Sequence, residues 1–200
     1  MFTTHNLRLA AIGALLAIGA ACSDDPSGPR LPAAGKFRLS LAGDFAATHA
    51  GDAIFGVDGE QGSPFFGVLL GTDEQDLANL VILRSGATRL EVGRHTIANT
   101  SDQLPDPANA VEILLGVGNA SSSTVGFFDG KSGTVTITRS SADILAGTFD
   151  LVAQGLLEEN GGGAEPATVR VSGAFTAEPV AGTQGARMRV QSIRLQRLAR

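Results

Sequence analysis

The chain reads as an all-β protein, and three observations lead there. Short apolar runs recur between turn residues from Lys36 onward. Two of them alternate strictly, Thr134 to Thr138 and Thr168 to Ser172, with Val and Ile on one face and Thr, Arg and Ser on the other. Glycine supplies 26 of the 200 residues, well above the ~7% of an average protein, and breaks the chain into short pieces. Together these predict an antiparallel β-sandwich of about ten to twelve strands, with a closed, calycin-like β-barrel as the alternative.

The first 21 residues stand apart. His5 and Arg8 precede an apolar run from Leu9 to Ala21, and no acidic residue lies before Asp24. As a helix that run spans roughly 20 Å at ~1.5 Å per residue, short of a ~30 Å hydrocarbon core. It therefore reads as an export signal, residues 1–21, rather than a membrane span. The run ends Ile18-Gly19-Ala20-Ala21-Cys22-Ser23. This resembles a bacterial lipobox, in which small residues precede a cysteine that is acylated and becomes the new N-terminus. Gly19 departs from the usual Leu three residues before the cysteine. The resemblance makes Cys22, the sole cysteine, the lipidation site, carrying palmitate-type acyl chains. Several acyl tails at ~0.8 kcal/mol per buried methylene anchor a domain stably. Ser23 in place of Asp implies transfer to the outer membrane; a soluble secreted or periplasmic protein is the alternative.

Residues 22–35 carry three prolines, two glycines and two acids, a composition that reads as a flexible tether. Residues 36–200 then form one β-rich domain. Expected strands are Lys36–Ala42, Ala53–Val57, Phe65–Leu70, Leu80–Arg84, Arg94–Ala98, Val111–Val117, Val125–Phe128, Thr134–Thr138, Ile144–Ala153 and Thr168–Ser172. Arg187–Val190 and Ile193–Gln196 alternate in opposite phases, which a bulge near Gln191 would reconcile. Thr72-Asp-Glu-Gln75 has the form of a capping box, predicting a helical turn over Asp73–Ala78 before the next strand. Phe65–Leu70, Leu80–Leu83 and Ile113–Leu115 are apolar on both faces, so something covers their outer side or they form a contact surface.

A Gly-x-Phe motif recurs at Gly43, Gly147 and Gly173. The last two copies follow alternating runs and predict neighbouring strands in which Gly makes room for a Phe ring. The segment Ser132 to Ala177 resembles β-rich lipoproteins of unknown function found in several bacterial phyla. That resemblance implies a β fold and no activity.

Candidate chemistry is sparse. Gly130-Lys131-Ser132 lacks the earlier glycine of a phosphate loop, since Val125 stands there, and a strand follows instead of a helix. Asp129-Gly130 reads as a hairpin turn. His49 and His95 are the only histidines after the signal. Asp52 lies three residues from His49, and on one strand that odd spacing sends the two side chains to opposite faces. No Gly-x-Ser-x-Gly elbow accompanies the serines. The acids at Asp73–Asp76, Asp102, Asp106, Glu158 and Glu159 fall in turn-like stretches without calcium-loop spacing. With no Trp or Tyr, aromatic sugar platforms are missing. Five arginines from Arg187 to Arg200 form the one basic region and read as charge protecting an edge strand. The net charge of −5 argues against a nucleic-acid partner.

The expected function is a lipid-anchored cell-envelope protein, non-enzymatic, serving as a structural or binding module, with the membrane as partner through Cys22. The alternative is a β-barrel carrier of an apolar ligand. No catalytic, metal or cofactor residues are expected.

Overall fold

In the computed structural model, the described residues are 30–58, 64–72, 76–98, 110–119 and 123–180. They form nine strands and no helix: β1 (Lys36–Gly43), β2 (Ala47–Asp58), β3 (Phe65–Gly71), β4 (Asp76–Ser85), β5 (Gly93–Ile97), β6 (Ala110–Asn119), β7 (Thr124–Ser140), β8 (Leu145–Glu158) and β9 (Glu165–Pro179). All nine belong to one mixed sheet in the order β1-β2-β3-β4-β6-β5-β7-β8-β9, and the β1–β9 pairing closes it into a ring. Most neighbours run antiparallel; β5–β6 and β2–β9 are short parallel pairings.

The all-β expectation is met, and hydrogen bonding runs without a break around the ring. Ten of the expected segments fall on nine strands, because 125–128 and 134–138 are parts of one strand, β7. The segments at 187–190 and 193–196, with the bulge near Gln191, lie outside the described residues.

Period-two patterning builds the ring. In β1, Phe37, Leu39 and Leu41 point inward and are buried, while Arg38 and Ser40 are exposed. The same alternation runs through β9, where Ala167, Val169 and Val171 face inward between exposed Thr168, Arg170 and Ser172. Inward side chains from every strand merge into one core containing Phe37, Phe66, Phe175, Leu70, Leu80, Ile82, Ile113 and Leu151, each nearly fully buried. Each such side chain contributes roughly 1.5–3 kcal/mol on burial. A loop plugs one end: Leu90 is fully buried in the core, its carbonyl accepting from Ser140 Oγ at 2.7 Å.

Two local expectations are corrected. Asp76 to Ala78 belong to strand β4, not to a helical turn; residues 73–75 lie outside the described set. Ala78 N donates to Thr72 Oγ1 at 2.9 Å, so the threonine of the apparent capping box serves a strand start. Nor is Asp129-Gly130 a turn. Both residues sit within β7, where the register with β8 shifts between Gly130 and Ser132 and leaves Lys131 as an extra residue. Gly130 is there for space: a Cβ on it would stand 2.8 Å from Ile113 Cβ.

Candidate functional site: an outer hydroxyl-lined groove

The outward side chains of β1, β2, β7, β8 and β9 line a groove of about 690 Å³. Two cross-strand rungs form it. One is Thr48–Ser40–Ser172–Asp150–Thr134, the other Ala50–Arg38–Ala174–Thr148–Thr136. Strand pairing alone places these ten residues side by side, because every partner occupies the same phase of the pleat. Six of the ten present hydroxyls, and the smallness of Ala50 and Ala174 keeps the surface open between them.

Charge sits within and beside this face. Arg170 binds Asp150 in a two-pronged ion pair, Nε to Oδ1 at 3.1 Å and Nη2 to Oδ2 at 2.8 Å. The hydrogen bond to Asp150, and then the carboxylate's charge, raise the guanidinium pKa above its ordinary value. Both partners are more than half exposed, so water screens the pair. Arg38 donates from Nη2 to the carbonyl of Arg30. That contact holds residue 30 beside the groove. Thr176 Oγ1 donates to Pro32 O at 2.8 Å, and Ala53 N donates to Gly35 O at 2.8 Å. Residues 30–35 therefore lie against β1, β2 and β9, with residue 30 at the groove's side. Cys22 itself lies outside the described residues.

The two histidines do not meet. They occupy opposite ends of one inward rung, His49–Leu39–Gly173–Phe149–Val135–His95, with four residues between them. His95 is 2% exposed and its Nε2 lies 2.8 Å from Glu91 O, so it fastens the plugging loop. Asp52 faces away from His49, as the odd spacing requires, and pairs with Lys36 Nζ at 2.5 Å. Lys131 sits at the β7 bulge, 3.9 Å from Asp129, and among the described residues there is no helix whose N-terminus could hold a phosphate. Glu158 and Glu159 are exposed, and Glu159 joins Asp44 and Glu165 around a second, smaller pocket at the β8–β9 turn. Among the described residues no group of three or more His, Cys, Asp or Glu could hold a metal ion. Asp102, Asp106 and the arginines from 187 to 200 lie outside the described residues.

No family model, no curated protein and no solved structure matches the chain.

The groove was not singled out in the sequence, though its signal is present. The outward positions of the two strictly alternating segments, Thr134, Thr136 and Ser172, are its hydroxyls. What was missing was the pairing of β1 with β9, which joins the first described strand to the last, Lys36 to Thr176 and Gly43 to Val169.

Proposed function

We propose that this is a cell-envelope protein anchored by lipid on Cys22, and that its body is a non-enzymatic binding module whose working surface is the outer groove. The observation that carries the reading is the groove's place beside residue 30, in the segment that follows Cys22 in sequence, with Arg38 both lining the groove and holding Arg30. Two rungs of hydroxyls with one open cation, Arg38, suit a polar, extended ligand held by hydrogen bonds. The groove has no Trp or Tyr face on which a sugar ring would stack. His49 also borders the groove, but it belongs to the inward rung, in the opposite phase of the pleat from the six hydroxyls.

The reading is tested in two steps in a bacterial host. The mature protein, isolated with detergent from outer-membrane fractions, should carry diacylglyceryl and an added acyl chain on Cys22 by mass measurement. Cys22→Ser should move it to the soluble fraction. An unmodified thiol in the membrane-isolated protein overturns the anchor. Next, Thr148→Arg and Ser172→Arg fill the groove from a half-buried and an exposed strand position. They should abolish retention of the protein on envelope material while leaving its melting unchanged. Undiminished retention by both folded variants overturns the groove as working surface.

A further inference from the structure

We propose that the outward apolar face of β2, β3, β4 and β6 is the docking surface for this chain's own C-terminal segment, residues 181–200. The face is a second apolar cluster on the outside of the ring. Leu69 and Val81 form its centre, with Ile54, Leu83 and Leu114 around them. Leu69 and Val81 point away from the core, yet each is only 5% exposed. Strand pairing sets Ile54, Leu69, Val81 and Leu114 in one rung across four strands. A polar outer face would be expected of a sheet wet on that side.

The occupant follows from where the described chain stops. β9 outruns the start of β1 and pairs in parallel with β2, Ile54 with Glu178 and Phe55 with Pro179. Val180 N then donates to Phe55 O at 2.8 Å, and the Val180 side chain packs into the apolar cluster. Val180 thus stands at the edge of this face. Crossing from β2 to β6 takes three strand spacings of ~4.8 Å, which about five extended residues cover at ~3.3 Å each. Twenty residues follow Val180. Their chemistry fits as well. Met188 and Val190 share one phase and Ile193 and Leu195 the opposite one, so a bulge near Gln191 turns all four to one face and Arg187, Arg189 and Arg194 to the other. Laid on the face, the apolar set meets Leu69 and Val81 while the arginines point outward. Glu112 and Asp129, paired with Leu83 and Leu114, provide acidic groups at the rim for them.

Proximity cross-linking tests this in the full chain carrying Cys22→Ser. Val81→Cys is combined in turn with Val190→Cys, Ile193→Cys or Leu195→Cys and treated with a short bismaleimide at low protein concentration. At least one pair should link within a single chain, with a yield at least tenfold above that of Thr148→Cys on the groove side with the same tail cysteine. Equal yields, or links formed only between two chains, overturn the proposal; the latter would make a second copy the occupant. As a second measurement, Val190→Asp/Ile193→Asp/Leu195→Asp should raise the fluorescence of an apolar surface dye several-fold while keeping a cooperative melt. An unchanged dye signal in that folded variant counts equally against it.

Discussion

The ring of Phe149 lies against the backbone of Gly173. A Cβ built on Gly173 would stand 2.5 Å from Phe149 Cζ and 2.4 Å from the carbonyl oxygen of Arg38. The relationship is reciprocal in register: Phe149 pairs with Gly173 and Phe175 with Gly147 across the β8–β9 ladder. The two rings then lie near each other, centroids 6.4 Å apart and planes 25° apart. Gly173→Ala forces a shift of both ring and strand, and should cost about 1–3 kcal/mol in denaturant unfolding, the usual range for overpacking. Phe149→Leu should not rescue it, since the Arg38 carbonyl remains in the way. Gly163→Ala, with no atom within 4 Å, is the control and should change stability by less than about 0.5 kcal/mol.

The plugging loop depends on one buried side chain. Leu90 is 0% exposed, and the hydrogen bonds around it tie its neighbours to the sheet: Ser140 Oγ to Leu90 O, and His95 Nε2 with Glu91 O. Leu90→Ala leaves a cavity at the end of the ring and should destabilise the protein by about 2–5 kcal/mol. Ser140→Ala removes one hydrogen bond to an otherwise intact loop and should cost about 1 kcal/mol. Equilibrium unfolding of both variants checks the order, and equal losses would show that the loop is not held by its leucine.

How much of this was legible in the sequence differs by scale. Strands whose two faces contrast, such as Thr134–Thr138 and Thr168–Ser172, were placed correctly because alternation is a local signal. The Gly-x-Phe pairing of β8 with β9 was readable for the same reason, the two copies lying 26 residues apart. Its third copy does other work: Gly43 has a φ of 116° at the end of β1, and Asp44 Oδ2 accepts from Thr168 N. Asp129-Gly130 misled because a glycine required for close approach to Ile113 looks like one required for a turn. Ring closure and the groove rest on the β1–β9 pairing, which no local pattern encodes.

The Asp150–Arg170 pair is well formed but wet. Opposite charges at this exposure are screened, and two long side chains must be held in one geometry. Asp150→Asn should therefore leave the thermal midpoint within replicate scatter at 150 mM salt. It also removes a carboxylate from the groove while leaving the carbonyl oxygen as an acceptor. A clear drop in the midpoint would mean that the pair closes the β8–β9 ladder more tightly than its exposure implies.

The inside of the ring is occupied by side chains, and this sets an expectation for apolar ligands. Phe66, Phe175, Leu70, Leu80, Ile113 and Leu151 converge there, each no more than 2% exposed, and the β5–β7 side adds Ile97, Val135 and Ile137. Close-packed interiors hold few voids larger than a water molecule. A fluorescent fatty acid should accordingly show no stoichiometric binding to the folded protein, and benzene should not raise its melting temperature. Phe175→Ala provides the positive control. Removing that ring should cost about 3–5 kcal/mol and leave an apolar cavity, and such cavities stay dry and accept small aromatic molecules. Benzene should then stabilise Phe175→Ala and leave the parent unchanged. Saturable fatty-acid binding by the parent would instead require the ring to open, and would favour the carrier reading over the groove.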